Sequence, residues 1–235
     1  MPMFVTISFL MAVAPAVLLL FYYYNKNKTR YKSKPLIIKI FLLGIIYTLP
    51  VFGLEQILTL INRHFQWPRL LYYFFEAFIV AGLCEEYIKL RIVKTYAYPS
   101  HAFRTTFDGI MYTITAGLGF ACMENIVYVT HGTLATAMTR GITAVPMHAV
   151  CSGMMGYYIG RARFAASAQE RDTLLTTGLW IAIIIHGLYD FFIMIAPVYG
   201  SVFSSVAITL VAITFLRLRD RINQALQETP PEQNG

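Results

Sequence analysis

The sequence predicts an all-α fold, a polytopic membrane helix bundle of about seven transmembrane helices with its N-terminus outside and its C-terminus inside. Three observations predict it. Hydrophobic residues make up 57% of the 235-residue chain and charged residues only 13%, with a mean hydropathy of +0.57, whereas a soluble domain carries roughly 25% charge. Apolar runs reach the length needed to cross a bilayer, about 17–25 residues. The basic residues fall in short gaps between those runs, and they do so alternately.

The first run, 3–24, has no positive charge before its apolar stretch and a basic cluster after it, so it reads as an uncleaved first helix with its N-terminus outside. The second, 36–61, contains Pro50 and Gly53; in lipid, neighbouring groups can re-satisfy a freed carbonyl, so Pro50 is expected only to kink it. The others run over 70–93, 106–130, 140–160, 173–197 and 200–216, the last of them short. Gap 25–35 holds Lys26, Lys28, Arg30, Lys32 and Lys34. Later basic gaps hold Lys94 and Arg104, then Arg161, Arg163 and Arg171, and finally Arg217, Arg219 and Arg221. The alternate gaps hold only Arg63, Arg69 and Arg140, the last at a helix edge where anchoring the helix is the favoured reading and meeting a substrate carbonyl the other. Basic gaps face the cytoplasm, and an odd number of spans satisfies the parity. Segment 94–105, rich in aromatic and basic residues, is expected at the headgroup layer.

One integral membrane domain over 1–222 is therefore expected, with a polar, disordered tail over 223–235. The net charge of +7 is accounted for by anchoring of helix ends, so the expected partner is the lipid bilayer and no nucleic acid. Cys84, Cys122 and Cys151 show no paired spacing and read as small packing residues between helices.

Polar groups inside these runs carry the chemistry. Ionisable groups at bilayer depth cost about 2.5–3.5 kcal/mol each on the insertion scale for Asp, Lys or Arg, so they must pair, line a wet cavity, or work. In the third run Lys89 lies four residues after Glu85 and three after Glu86, so either can share its face. The two glutamates project about 100° apart, which argues against both reaching one small site. In the fourth run a glycine-rich stretch, Gly117 to Gly119, precedes Glu124 and Asn125; small residues allow close helix approach, which would bring Glu124 against the glutamates of the third helix. Asp108 at the start of that run reads as a cap. The fifth run holds His148, with Ser152 one turn on and Gly156 and Gly160 at a close-packing spacing. The sixth holds His186 and Asp190, four apart, so that the carboxylate can accept from the ring. By depth, Glu86 lies past the middle of its span, whereas Glu124 and His148 lie nearer the outer side.

The series Glu85-Glu86-Tyr87-Ile88-Lys89, Phe120-Ala121-Cys122-Met123-Glu124-Asn125, His148, and His186-Gly187-Leu188-Tyr189-Asp190-Phe191 resembles the PrsW family of intramembrane proteases, a relative of the CAAX-prenyl and bacteriocin-processing membrane proteases. The match covers roughly 80–195 in order and spacing. It implies peptide-bond hydrolysis in a bacterial plasma membrane. The implied partner is a membrane-spanning protein substrate, an anti-sigma factor first cut on its extracytoplasmic side in a stress response. Glu124 stands where the prenyl-protein enzymes carry histidine, which leans the reading away from a prenylated substrate.

The mechanism expected is attack by a water activated by Glu86 or Glu85. His148 and His186 would donate to the developing oxyanion, Glu124 would share the proton relay or position the water, and Lys89, Asn125 and Asp190 would support the set. No cofactor is required by that reading. Zinc is the alternative, since two histidines and a glutamate can bind it and leave a position for water, although the His-Glu-x-x-His helix is absent. Intramembrane Glu, Lys, His and Asp also mark proton-coupled transporters, the competing class, but no internal repeat is seen.

Overall fold

The computed structural model describes residues 2–26, 33–131 and 133–228, and every regular element among them is helical. In chain order these are α1 (Pro2–Asn25), α2 (Lys34–His64), α3 (Arg69–Phe75), a π-helical stretch π1 (Glu76–Leu83), α4 (Cys84–Ile92), a second such stretch π2 (Val93–Ala97), α5 (Thr106–His131), α6 (Leu134–Ile142), α7 (Ala144–Arg163), α8 (Ala168–Tyr199) and α9 (Val202–Gln227). Four of them, α2, α5, α8 and α9, are individually long and apolar enough to cross a membrane, and α1 has a shorter apolar stretch over Phe9–Asn25. The third expected run is interrupted by π1 and passes into π2 at its end, and the fifth is divided into α6 and α7, with Thr143 between them.

The chain is turned outward with its apolar side chains. On α2, Leu42, Ile46, Leu49, Ile57 and Leu60 are exposed, whereas the buried stripe runs Ile37, Ile40, Gly44, Thr48, Val51, Glu55 and Asn62. Apolar side chains outside and polar ones inside suit a hydrocarbon solvent, which can satisfy no polar group. Pro50 is carried within α2 without ending it, as the sequence suggests.

The bundle is built around α5, the most enclosed of the candidate spans. Asp108 caps its first turn: Oδ2 accepts from the backbone N–H groups of Arg104 and Thr105 and from the Thr105 hydroxyl. Glycine then lets two neighbours touch the α5 backbone. A methyl group added at Gly109 would lie 2.5 Å from the backbone of Gly156 and Gly160 on α7, and one at Gly119 would collide with the carbonyl of Phe41 on α2. The glycine contacts thus join α5 to α7 and α2, and among the described residues no glycine seats it on α4.

Segment 69–97 is one helical rod with two changes of winding. In π1 each hydrogen-bonded turn takes in an extra residue, and the Cys84 thiol donates across the stretch to the Ile79 carbonyl at 3.5 Å. Glu76, at the head of π1, is fixed to α2 by the Thr59 hydroxyl and the Asn62 amide, both at 2.8 Å. Gly82 seats the far end of π1 against α8, where an added methyl would lie 3.3 Å from the Ile183 carbonyl, and Gly187 of α8 packs on the Phe78 ring. The last helix runs through Gln227, so residues 223–227 of the tail expected to be disordered are helical. The remainder of that tail from residue 229, and Lys28, Arg30 and Lys32 of the first basic gap, lie outside the described residues.

Candidate active site

Lys89 is the hub of the site. Its ammonium is fully buried and donates to Glu85 Oε2 at 3.1 Å, Glu86 Oε1 at 2.7 Å and His148 Nδ1 at 3.0 Å. An ammonium has three N–H donors, and all three are used. Because His148 Nδ1 accepts from Lys89, the ring proton lies on Nε2, which donates to Glu124 Oε2 at 2.8 Å. On the opposite side, His186 sets Nδ1 against Glu86 Oε1 at 2.8 Å and Nε2 against Asp190 Oδ2 at 3.1 Å. The two imidazoles meet edge to face, 5.2 Å between centroids.

These contacts correct several expectations. Both glutamates reach one site despite leaving the helix in different directions. Two methylenes in each side chain, and a lysine at i+3 of one and i+4 of the other, draw the carboxylates together. The depth offset between Glu86 and His148 is likewise bridged by the long Lys89 side chain. Glu124 bonds neither glutamate. It holds His148 and forms an ion pair with Arg140 Nη2 at 2.8 Å. Arg140 therefore turns into the bundle instead of anchoring α6 at the surface, and its Nε donates to Asn125 Oδ1 at 3.0 Å. Asn125 is buried and reaches the Ala12 carbonyl on α1. The ring nitrogens of both histidines are already engaged by protein groups, which leaves no imidazole N–H free for an incoming oxygen. The expected i,i+4 contact of His186 with Asp190 is present.

Two features were not among the candidate residues. Glu55, the lone acidic residue in the apolar run 36–61, lies on the buried stripe of α2 with its Oε1 buried and unpartnered. It is near enough to Glu85, Glu124, His186 and Lys89 to interact electrostatically. A lone carboxylate inside a long apolar run was signal enough to find it. The π windings that aim α4 carry no comparable pattern. Ser152 is fully buried against Gly117 with its hydroxyl unpartnered, so no base is hydrogen-bonded to it. Cys84, Cys122 and Cys151 are free thiols.

Glu85, Glu86, His148 and His186 each offer a donor atom, and these atoms lie within 4.8 Å of one another. Two imidazoles and two carboxylates are a donor set that zinc accepts. The orphaned Glu86 Oε2 is a further free donor. Against the fit, Lys89 Nζ already stands within hydrogen-bonding distance of three of the four residues. An ammonium there and a divalent ion among the same atoms exclude one another. With Lys89 in place the cage does not fit a metal.

Carboxylates and imidazoles gathered inside an apolar helical bundle are the groups that acid–base hydrolysis uses. The chain belongs to the PrsW family of intramembrane proteases: the family model described as "PrsW family intramembrane metalloprotease" matches residues 32–217. Among curated relatives named Protease PrsW, that of Geobacillus kaustophilus is 33% identical over 190 residues, covering 80% of each chain. That of Halalkalibacterium halodurans is 34% identical over 179 residues, 76% of this chain and 80% of the relative. The Bacillus subtilis protein is 32% identical over 179 residues, 76% and 79% of the two chains. No solved structure matches.

Proposed function

We propose that this chain hydrolyses a peptide bond in a membrane-spanning protein by glutamate-activated water, without a metal, and that Glu85 is the base. The observation that carries the choice is the unequal burial of the pair. Glu86 is wholly enclosed and its Oε1 is shared by Lys89 and His186. Glu85 retains a small accessible area, and its Oε1 lies 3.9 Å from His186 Nε2, beyond hydrogen-bonding reach. Glu86 Oε2 is also unpartnered but is sealed from solvent, whereas a base must reach the water it deprotonates. Glu86, His186 and Asp190 then form one brace, and Glu124 with His148 the other, each holding Lys89 and Glu85 in place.

The substrate in this reading is a membrane-spanning anti-sigma factor, cut first on its extracytoplasmic side, and the enzyme lies in a bacterial plasma membrane. The support is membership of the PrsW family and the bacterial origin of the relatives. Seven spans, N-terminus outside and C-terminus inside, are supported by the basic gaps and by the additional helices α1, 69–97 and α7 beside the four candidate spans. The second reading is a zinc site made by Glu85, Glu86, His148 and His186, favoured by the family description and by the convergence of those donors. It requires Lys89 to leave the cage.

The test is cleavage in liposomes of a single-span anti-sigma reporter by wild type and Glu85→Gln, with and without a zinc chelator. The expected result is cutting by wild type that ignores chelator, with Glu85→Gln slower by about 10²–10⁴-fold, the usual worth of a general base. Chelator-sensitive cutting restored by zinc would transfer the site to the metal reading. Full activity in Glu85→Gln would remove Glu85 from the role.

A further inference from the structure

An incoming carbonyl oxygen must be met by a positive group as charge develops on it. Counting donors in the cluster leaves few to do so. Lys89 has no N–H left, both histidine rings are engaged on both nitrogens, and the Asn125 amide is turned to the Ala12 carbonyl. Arg140 differs. Of its five N–H groups, Nε uses one on Asn125 and Nη2 one on Glu124, so three remain. One face of the guanidinium lies on the Tyr128 ring, 3.8 Å from its centroid, which fixes its plane.

Accessibility points the same way. Lys89 and Glu86 side chains are 0% exposed, Glu85 5%, Glu124 10%, and Arg140 and Asp190 19% each. The reachable wall of the site is thus made of carboxylates plus a single cation among these residues. An anion forming against that wall would be repelled everywhere except at Arg140.

We propose that Arg140 is the oxyanion-binding residue of this site, holding the substrate's carbonyl oxygen with its unused guanidinium edge. The inference rests on the hydrolytic reading above. Glu85 takes a proton from water as the water oxygen bonds to the carbonyl carbon. The carbonyl π pair moves to oxygen, where Arg140 holds the charge. Collapse re-forms the carbonyl, breaks the carbon–nitrogen bond, and the proton on Glu85 passes to the leaving amine. Glu124 and Asn125 are positioning residues in this scheme, since they act through Arg140 and His148.

The experiment uses the full chain in liposomes with a quenched-fluorescent single-span peptide, comparing wild type, Arg140→Lys and Arg140→Ala. Lysine keeps the ion pair with Glu124, and thermal unfolding checks that each variant folds. Expected are a 10²–10³-fold loss in kcat for Arg140→Ala, the order seen when one oxyanion donor is removed, little change in KM, and saturable rescue by methylguanidinium. Arg140→Lys should unfold like wild type yet remain well below it in kcat. Wild-type kcat in Arg140→Lys, or a folded Arg140→Ala that methylguanidinium does not rescue, would overturn the assignment and leave Arg140 only a strut for Glu124. If wild type itself cuts nothing, the hydrolytic reading falls and takes this inference with it; if wild type cuts and Arg140→Ala cuts equally, this inference falls alone.

Discussion

Replacing Lys89 with methionine keeps most of the side chain's volume and removes its charge. Three close contacts are lost, at 2.7, 3.0 and 3.1 Å, two of them to carboxylates that are themselves buried. At an effective dielectric of about 20, each N···O pair near 3 Å attracts by roughly 5–6 kcal/mol. Most of this offsets the cost of desolvating three ions, so the measurable loss is the penalty for stranding the carboxylates, about 3–5 kcal/mol. For a chain of this length that corresponds to a fall in Tm of about 6–20 °C. Thermal unfolding in detergent with chelator present would read it. The same variant opens the cage, so zinc at about 100 times its Kd should return roughly 2.7 kcal/mol to Lys89→Met and nothing to wild type. A Lys89→Met variant as stable as wild type in chelator would refute the reasoning, because the glutamates would then not depend on the ammonium. Zinc stabilisation of wild type equal to that of the variant would refute the mutual exclusion of metal and lysine.

The glutamates should separate by phenotype. Glu86→Gln is expected to lower Tm more than Glu85→Gln, because Glu86 Oε1 serves both Lys89 and His186, while Glu85→Gln should lose activity with the smaller change in Tm; the opposite order in parallel unfolding and cleavage assays would exchange their roles. Gly117→Ala would drive a methyl into Ser152 Oγ, and overpacking of this kind costs about 1–3 kcal/mol. Adding Ser152→Gly should recover most of it, and a strictly additive double mutant would show that the strain lies elsewhere.

Much of this arrangement was legible in the sequence because lipid makes polar residues conspicuous. Glu85, Glu86, Lys89, Glu124, His148, His186 and Asp190 stand out from apolar runs, and the structure gathers them into one connected set. The glycines of α5 likewise announce a backbone-to-backbone contact, although they do not name the partner helix. What escaped was direction. Arg140 sits at a helix edge, where a surface anchor and an inward hook have the same sequence, and only the fold brings Glu124 to it. The convergence of Glu85 and Glu86 depends on side-chain length, which a helical wheel ignores. The separation of α6 from α7 is marked only by Gly141 and Pro146, five residues apart and each compatible with a continuous membrane helix.

The winding of π1 has a consequence for how this chain can tolerate length change. Glu76 is pinned to α2 at one end of the stretch and Gly82 to α8 near the other, so the surplus residues between them act as slack already taken up. Deleting one residue there would let the rod rewind as ordinary α-helix with Glu76 and Gly82 still on their neighbours, so Glu85 and Glu86 beyond Gly82 would keep their direction. The same deletion made at Cys84, in the ordinary α-helix, has no slack to draw on and would turn the glutamates by about 100° around the axis.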